Sequence, residues 1–352
     1  MSRVAKSASR RVRLEDVALQ AGVSVATASL ALSDKSAQYR ISTDVTARVQ
    51  KAAQDLDYTP NRLVRSMQRG QTHILSFFNG YRTRTPQDLY MNTLCTALER
   101  AAGSQGYDLL IHCDFARSPE QIYQHLNGGI ADAVLFFAPQ VNDPLLALLK
   151  KSRLPTVLIG GQVDGTLPQV TDDVESSMRL VAEQLVAQGH RRIGVIHDDS
   201  NSPNFPQRLG LLRKELAALK VTLQEDCLYF LGEIGALLQK DDAPTAFFCP
   251  RDSLAYQLLD ICTEHGIAVP DRLSVVGYDG LPWGAISGHV VTSVKVDIDA
   301  LAQAAVARMV AQLGGESELP LIQLLPTTLL VGTTLGAVPT GTTLSTDRRP
   351  GP

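Results

Sequence analysis

Two pairs of adjacent aspartates have the residue type and spacing for acid–base chemistry. Asp172 and Asp173 form one pair, and Asp198 and Asp199 follow His197 in the other. Carboxylates of this kind catalyse proton transfer when a second titratable group is held beside them, and nothing in the sequence pairs these residues with one. His197 and Asp198 could face a cleft, but such a pair is more often part of a solvated loop, which is the arrangement we expect.

Motifs for other catalytic chemistries are absent from the sequence. It contains no G-x-x-x-x-G-K-[ST] loop and no G-x-S-x-G turn, and Gly160–Gly165 is not a G-x-G-x-x-G that opens a helix. Neither the histidines nor the cysteines have metal-ligand spacing. They are His73, His112, His125, His190, His197, His265, His289, Cys95, Cys113, Cys227, Cys249 and Cys262. We expect no enzyme, cofactor or metal site. The alternative, a sugar- or nucleotide-modifying α/β enzyme with a DNA-binding appendage, predicts turnover of a candidate sugar.

Positive charge is concentrated at the start of the chain, whose 352 residues allow two or three domains. Residues 1–70 hold 12 of the 33 Lys and Arg but only 6 of the 36 Asp and Glu, a net of +6, which leaves −9 for the rest. This asymmetry is typical of a protein of which one part meets a polyanion, although a basic patch is often only a solvated face. The odd cysteine count and the absence of a signal-peptide or membrane-spanning apolar run predict a soluble cytoplasmic protein with no membrane partner.

A helix-turn-helix pattern lies within this basic region. Leu14–Ala21 has apolar residues at helical spacing, and Gly22 can adopt the left-handed conformation that ends a helix. Ser24 is a suitable cap for a second helix that begins at Val25 and ends near Leu32. The pattern predicts a DNA-reading motif, and an ordinary helical hairpin is the alternative.

A third helix and a basic segment follow the motif. Ile41–Leu56 carries an apolar stripe behind Ser42 as its cap, which completes a minimal three-helix domain. Pro60 then breaks the chain, and Asn61–Arg69 contains three arginines with few apolar residues. Such a segment is too short to be a stable helix alone, so it is either a flexible linker or a segment that folds on DNA.

The stretches LEDVALQAGVSVATASLAL and ISTDVTARVQKAAQDLDYTPNRLVRSM resemble the DNA-binding head and hinge of the lactose repressor/galactose repressor family. The resemblance implies that a recognition helix faces the major groove with Val25, Ala26, Thr27, Ser29 and Leu30. It also implies phosphate contacts from Ser24, Thr27, Tyr58 and Asn61. Met67 takes the place of a leucine that wedges into the minor groove between paired hinge helices. Arg40 and Arg62 complete the predicted DNA-binding set.

The head departs from the family pattern in ways that affect base recognition. Leu30 stands where many members have an arginine that reads guanine, so this contact is predicted to be missing. Val25 and Ala26 can touch only groups such as a thymine methyl. The loop Lys35–Arg40 is longer than usual. Its Tyr39 and the adjoining arginine either add DNA contacts or belong to a mobile solvent loop.

From Thr72 onward, strands alternate with helices. Predicted strands are HILSFF, YDLLIHC, ADAVLFFAP, PTVLIGG, RRIGVIH, TAFFCP and LSVVGYD, and helices separate them, among them 175–188, 208–218 and 253–265. The strands are nearly all apolar, which predicts parallel sheets covered on both faces. Because the alternation restarts halfway, we predict two Rossmann-like lobes with a cleft at the carboxyl ends of their strands.

This body resembles the effector-binding core of the same family, which has the periplasmic sugar-binding-protein fold. The resemblance is carried by AFFCPRDSLAYQLLDICTEHGIAVPDRLSVVGYDG, GHRRIGVI and QRLGLLRKEL. It implies an all-α helix-turn-helix head on a two-lobed α/β core. The predicted limits are a disordered arm at 1–11, the head at 12–60, the hinge at 61–71, the core at 72–338 and a disordered tail at 339–352. The first lobe is predicted at about 72–170 and 299–327, and the second at about 171–298 and 328–338.

The resemblance places four residues at the effector cleft. Arg208 opens the helix where the family's arginine grips ligand hydroxyls or carboxylates, and Asp279 ends a strand where its carboxylate accepts hydrogen bonds. Arg251 replaces a commoner asparagine, and Tyr90 lies near the family's ligand-facing aromatic position. Two arginines favour an anionic effector such as a sugar acid or phosphorylated sugar. The alternative, to which we give equal weight, is that Arg251 merely pairs with Asp279 or Asp252 and that the ligand is a neutral sugar.

These observations predict a transcriptional regulator, most simply a repressor, that binds a palindromic double-stranded operator as a homodimer. A sugar-like effector between the lobes would control operator affinity. A pure sugar-binding protein is the third alternative, and the DNA-reading head argues against it.

Overall fold

The computed structural model describes residues 12–33, 39–60, 66, 70–80, 88–112, 117–140, 142–161, 165–198, 202, 204–224, 226–240, 242–282, 288–316 and 318–339. The chain divides into two compact units, residues 1–72 and residues 73–352. We call the first unit the head and the second the core.

Residues 12–33 and 39–60 of the head contain three helices. They are α1 (Leu14–Ala21), α2 (Val25–Ala31) and α3 (Thr43–Asp55). Their buried residues are small, which lets the helices pack closely around one hydrophobic centre. That centre consists of Val17, Ala18, Ala21, Ala28, Ala31, Val49, Ala52 and Ala53. The predicted helices and the Ser24 and Ser42 caps are confirmed, with ends shifted by one or two residues.

The core alternates strands and helices along the chain. In chain order its principal elements are β1 (Ile74–Asn79), α4 (Leu89–Ser104), β2 (Asp108–His112), α5 (Pro119–His125), β3 (Ala133–Phe137), α6 (Pro144–Lys150), β4 (Thr156–Ile159), β5 (Gln169–Asp172), α7 (Val174–Ala187), β6 (Ile193–Ile196), α8 (Asn204–Ala218), β7 (Leu228–Tyr229), α9 (Ile234–Leu237), β8 (Ala246–Phe248), α10 (Asp252–Glu264), β9 (Ser274–Asp279), β10 (Thr292–Lys295), α11 (Ile298–Leu313), β11 (Ile322–Leu325) and β12 (Thr328–Leu330).

The strands form two six-stranded sheets. The first has the order β11-β5-β4-β3-β1-β2, and all its neighbours are parallel. The second has the order β12-β10-β9-β8-β6-β7, and only the β10–β12 pair is antiparallel. Central strands such as β3, β4 and β9 are buried throughout, because helices cover both faces of a parallel sheet. The predicted fold class, a helix-turn-helix head with a two-lobed α/β core, is confirmed.

The chain passes between the two sheets three times. The first crossing joins β5 to α7, which packs against α8 on the second sheet. The second joins β10 to α11, which packs against α4 and the strands of the first sheet. The third is the short connection between β11 and β12. We refer to these connections as the three crossings. The residue limits predicted for arm, head, hinge, lobes and tail stay predictions.

Several elements were not predicted from the sequence, namely β5, β7, β10, α11, β11 and β12. The predicted start of α8 at Arg208 was also wrong, because the helix begins at Asn204. Ser202 Oγ accepts a hydrogen bond from the Asn204 amide at 3.3 Å, and Pro206 lies in the first turn, where a missing amide N–H is tolerated.

No helix in the described part of the chain is long and apolar enough to cross a lipid bilayer.

Candidate nucleic-acid interface and effector site

The turn between α1 and α2 depends on Gly22. Its φ of 66° is left-handed, and its amide donates to Leu19 O at 3.2 Å while the next amide, of Val23, donates to Ala18 O at 3.0 Å. A side chain at this φ is strained, so glycine ends α1 at low cost. The turn brings α2 against the small buried Ala18 and Ala21 of α1.

The exposed beginning of α2 is the candidate DNA-reading surface. Ser24 Oγ accepts a hydrogen bond from the Thr27 amide at 3.1 Å, and the two side-chain hydroxyls lie 2.8 Å apart. Because the hydroxyls share one hydrogen bond between them, one hydroxyl proton remains for a phosphate oxygen. Val25 and Ala26 are exposed beside them, whereas Ala28 faces the head's hydrophobic centre. This end of α2 therefore presents two hydroxyls and two small apolar groups.

The other predicted DNA-binding residues differ in how exposed they are. Ser29 and Leu30 are half-buried on α2, and Arg40 is exposed with a left-handed φ of 54°. Tyr58 is half-buried against the head's hydrophobic centre, and its amide donates to Ala53 O at 2.8 Å. The predicted hinge residues Asn61, Arg62 and Met67 lie outside the described residues.

The candidate effector site lies at one edge of the second sheet, where the carboxyl ends of its parallel strands meet. His197 and Asp198 follow β6, Phe230 follows β7, Arg251 follows β8, and Asp279 ends β9. Open α/β sheets bind ligands outside the carboxyl ends of their strands, so this is the edge where a small molecule is expected. The structure brings the predicted Arg208, Arg251 and Asp279 to this edge.

Two contacts hold the guanidinium of Arg208 in place. The side chain is buried in the second turn of α8, and its Nη1 donates to Pro250 O. Its Cζ lies 3.5 Å from the ring centroid of Tyr278, close enough for a cation–π interaction. A planar guanidinium fixed in this way can offer its remaining N–H groups to a ligand with little loss of side-chain entropy.

Asp279 combines burial with an uncommon backbone conformation. Its φ of 119° is positive, and a strained conformation of this kind persists at functional positions when the surroundings enforce it. Burial raises the pKa of Asp279 well above its ordinary value, although the Arg208 charge opposes this shift and the Asp252 charge adds to it. The Asp279 carboxyl therefore keeps its proton to a higher pH than an exposed aspartate does, and in that neutral form it can both donate and accept hydrogen bonds.

Asp252 stabilises the backbone at this edge of the sheet, and both of its carboxyl oxygens accept hydrogen bonds from the protein. Ser293 Oγ donates to its Oδ1 at 2.6 Å, and the Leu281 amide donates to its Oδ2 at 2.8 Å. Burial raises the pKa of this carboxyl from 3.8 to about 7, against the lowering effect of these hydrogen bonds. Asp252 thus holds the backbone just after Asp279 and is not presented to a ligand.

Arg251 pairs with a residue that the sequence did not suggest. The prediction that it would pair with Asp279 or Asp252 is wrong, because its Nη2 lies 3.0 Å from Asp198 Oδ1. The Asp198 side chain is 1% exposed and the Arg251 side chain 37% exposed. Asp198 follows β6 and Arg251 follows β8, and these strands are neighbours in the sheet. The ion pair therefore follows from strand order, which the sequence pattern does not give.

His197 and Asp198 are not in a solvated loop, so that expectation was also wrong. Asp198 is buried, and the His197 ring lies 4.5 Å from the Phe230 ring and 5.3 Å from the Phe205 ring, measured between centroids. His197 Nδ1 and Arg251 Nε are buried without a hydrogen-bond partner among the described residues. Phe230 is 51% exposed, which gives the edge an aromatic wall beside its polar groups.

Sequence reasoning missed Phe230 because β7 contains only two residues and leaves almost no pattern. Asp198 could have been identified from its position directly after a buried strand, by the same argument that identified Asp279.

Tyr90 belongs to the other lobe. It lies in the first turn of α4, where Asp88 Oδ1 caps the helix by accepting from the Met91 amide at 3.0 Å. Its ring stacks on Phe137, with centroids 5.8 Å apart, at the end of β3. Tyr90 therefore stands at the carboxyl edge of the first sheet rather than the second. No group of three or more His, Cys, Asp or Glu suited to a metal ion occurs within the described ranges.

A helix-turn-helix head with an exposed second helix, joined to a two-lobed core of parallel sheets, defines a DNA-binding regulator with a periplasmic-binding-protein-like core. Known protein families match both the head and the core of this chain. Residues 13–61 match the bacterial regulatory proteins of the lacI family, and residues 182–335 match a periplasmic binding protein-like domain. The chain therefore combines a DNA-binding domain that matches the lacI family with a core that matches a periplasmic binding protein-like domain.

Curated relatives and solved structures agree with this assignment. An HTH-type transcriptional repressor PurR from Actinobacillus pleuropneumoniae is 27% identical over 280 residues, covering 76% of this chain and 81% of the relative. The PurR repressor of Mannheimia succiniciproducens is 29% identical over 281 residues, covering 76% and 82%. The lac repressor dimer bound to operator and the anti-inducer ONPF has a TM-score of 0.80 at 22% identity, covering 93% of this chain and all of that one. The transcriptional regulator CelR in complex with cellobiose has a TM-score of 0.66 at 24% identity, covering 92% and 100%.

Proposed function

We propose that this regulator is a repressor whose operator affinity is set by a small-molecule effector bound at the carboxyl edge of the second sheet. The observation that carries the effector proposal is the combination of Arg208, fixed over Tyr278, with the buried and strained Asp279. A hydrogen-bond donor and a carboxyl held this firmly side by side at the carboxyl edge of a parallel sheet are suited to recognise a polar ligand. The repressor role follows the names of the curated relatives.

On the DNA side, α2 supplies the proposed contacts. Ser24 and Thr27 would hold a phosphate oxygen, and Val25 and Ala26 would touch thymine methyl groups in the major groove. Ser29 and Leu30 would lie along the same groove, with Arg40 and Tyr58 at the backbone. The phosphate contact of Asn61, the minor-groove wedge of Met67 and the place of Arg62 in the DNA-binding set stay proposals from the sequence.

We further propose that the active form is a homodimer. One head reads only a half-site, and two-fold symmetry in the protein matches a palindrome in the DNA. The lac repressor structure with operator is a dimer, which supports the same assembly here.

The effector is proposed to be a neutral, hydroxyl-rich molecule such as a sugar. The Arg251 charge is already compensated by Asp198. Arg208 is stacked on Tyr278, and a guanidinium held there can donate hydrogen bonds to ligand hydroxyls. The exposed ring of Phe230 suits the apolar face of a sugar. The Arg251–Asp198 ion pair and this aromatic ring therefore support the neutral alternative over a sugar acid or sugar phosphate.

Selection of bound sequences from random duplex DNA tests the regulatory proposal. The purified full chain should enrich a palindromic site, and binding should weaken steeply with salt because phosphate contacts release counterions. Absence of enrichment at any salt concentration would refute operator binding by the chain alone.

Calorimetric titration of the full chain tests the effector class. Suitable probes are cellobiose, galactose, glucuronate and glucose 6-phosphate. We expect heat of binding with a neutral sugar, lost in Asp279→Ala and kept in Asp260→Ala, which makes the same chemical change on α10 away from the site. Binding of only the acidic probes would overturn the neutral assignment.

A further inference from the structure

We infer that Tyr278 is a positioning residue that connects the proposed effector-binding arginine to two of the three crossings between the lobes. This inference rests on the proposed function for the role that Arg208 plays, but the geometry of the connection stands on the structure. Tyr278 lies in β9, one residue before Asp279, and is fully buried. It contacts Arg208 with its ring and the first crossing with its hydroxyl.

The ring of Tyr278 sets the position of Arg208. The guanidinium carbon lies 3.5 Å from the ring centroid, and its Nη1 donates a hydrogen bond to the Pro250 carbonyl. A ligand that draws the guanidinium toward itself must shift it across the ring or carry the ring along. Movement of Arg208 is therefore coupled to Tyr278 by direct contact.

The hydroxyl of Tyr278 joins the second sheet to the first crossing. It donates to Asp172 Oδ2, and Asp172 is the last residue of β5 in the first sheet. The same hydroxyl lies 3.1 Å from Ser177 Oγ, in the first turn of α7 beyond that crossing. One buried oxygen thus contacts the residues on both sides of the first crossing.

Ser177 extends the connection to the third crossing. Its Oγ donates to Asp173 O at 2.7 Å and lies 2.8 Å from Thr327 Oγ1, between β11 and β12. The sequence separation of 150 residues between Ser177 and Thr327 shows that the network ties distant parts of the chain at one place. We call Tyr278, Asp172, Ser177 and Thr327 the crossing network.

The protonation state of the tyrosine suits this role. Burial, and next the Asp172 charge, raise the pKa of Tyr278 well above its ordinary value, so its hydroxyl keeps the proton that it donates.

Hydrogen–deuterium exchange of the full chain without ligand tests the inference. Tyr278→Phe keeps the ring under Arg208 and removes the hydroxyl. We expect exchange to become about tenfold faster in peptides spanning residues 172–178 and 325–330, because a buried acceptor and a buried hydroxyl lose their common partner. Exchange in α1–α3 should not change. Tyr256→Phe, which removes another buried tyrosine hydroxyl from the same lobe, should leave both crossings as in the wild type.

Conservative replacement separates positioning from general destabilisation. Asp172→Asn keeps an oxygen acceptor for the hydroxyl and should exchange nearly as the wild type, whereas Asp172→Leu should resemble Tyr278→Phe. If Tyr278→Phe does not fold, Ser177→Ala removes the link to the third crossing with a smaller change and should speed exchange at 325–330. Unchanged exchange at both crossings in Tyr278→Phe, or at the third crossing in Ser177→Ala, would overturn the inference.

DNA selection distinguishes this failure from failure of the proposed function. If an operator is enriched but exchange is unchanged in Tyr278→Phe, only the role of Tyr278 is refuted. If no operator is enriched but exchange at the crossings is faster in Tyr278→Phe, the repressor proposal is refuted and the crossing network is still supported.

Discussion

The ion pair between Arg251 and Asp198 permits an asymmetric stability prediction. The two side chains differ sharply in exposure, at 37% for the arginine and 1% for the aspartate. Removing one partner of a buried pair is costly chiefly because the other charge stays buried and uncompensated. Arg251→Met should therefore destabilise the protein more than Asp198→Asn, although both changes remove the same ion pair.

The magnitudes follow from these exposures. Loss of one partner in a fully buried pair costs about 3–5 kcal/mol. Because the arginine is one-third exposed and solvent screens the pair, we expect about 2–3 kcal/mol for Arg251→Met. The arginine left by Asp198→Asn can be solvated, so this variant should lose about 1 kcal/mol. The double variant Arg251→Met with Asp198→Asn should be more stable than Arg251→Met alone, since it leaves no buried charge.

Urea denaturation followed by far-ultraviolet circular dichroism at pH 7 measures the three variants against the wild type. Lys214→Met is a matched control, because Lys214 forms an exposed ion pair with Glu175 at 2.6 Å and its loss should cost little. Equal losses for the two single variants, or a larger loss for Asp198→Asn, would refute the argument from burial.

Three further predictions concern pH and DNA binding. Burial raises the pKa of Asp252 from 3.8 to about 7, so the protonated carboxyl stabilises the fold fully below about pH 4, and this contribution is lost as the pH rises through 7. Urea denaturation between pH 5 and 8 should show this decline in the wild type and a flatter profile in Asp252→Asn, and identical profiles would contradict the assignment. Thr27→Val should weaken operator binding by about tenfold per head because one hydroxyl contact to phosphate is lost, as measured by fluorescence anisotropy, while an unchanged affinity would remove Thr27 from the interface. Leu30→Arg should add a guanine preference worth about 1–3 kcal/mol to each half-site in a DNA selection, and an unaltered consensus would show that this position does not face the bases.

The head could be predicted from the sequence because its structure is set by local chemistry. Gly22 ends α1, and Ser24 and Ser42 cap the next two helices through hydrogen bonds that span three residues. Such contacts join residues that are close in the sequence, so they can be predicted from the sequence pattern.

The missed strands lack the pattern on which strand prediction depends. In β11 three of the four residues are exposed, so neither alternation nor a buried apolar run marks it. In β5 all four residues are buried, yet three of them, Gln169, Thr171 and Asp172, are polar. Only pairing with distant strands makes these segments extended.

The site could be predicted residue by residue but not as pairs. Arg208, Arg251 and Asp279 were identified individually, whereas the partners of Arg251 and Tyr278 are 53 and 106 residues away. These partners are fixed by strand order and by the crossings, which depend on tertiary structure.

The placement of β11 and β12 affects how the protein is made. Each is the edge strand of a different sheet, and both come late in the chain. During synthesis α1, α2 and α3 are complete once residue 55 has left the ribosome, but the first sheet lacks an edge until residue 325 and the second until residue 330. Domains with local contacts can fold as they emerge, whereas both lobes here wait for the same late segment. In a nascent chain the DNA-reading head could thus fold well before the core that is proposed to control its operator affinity.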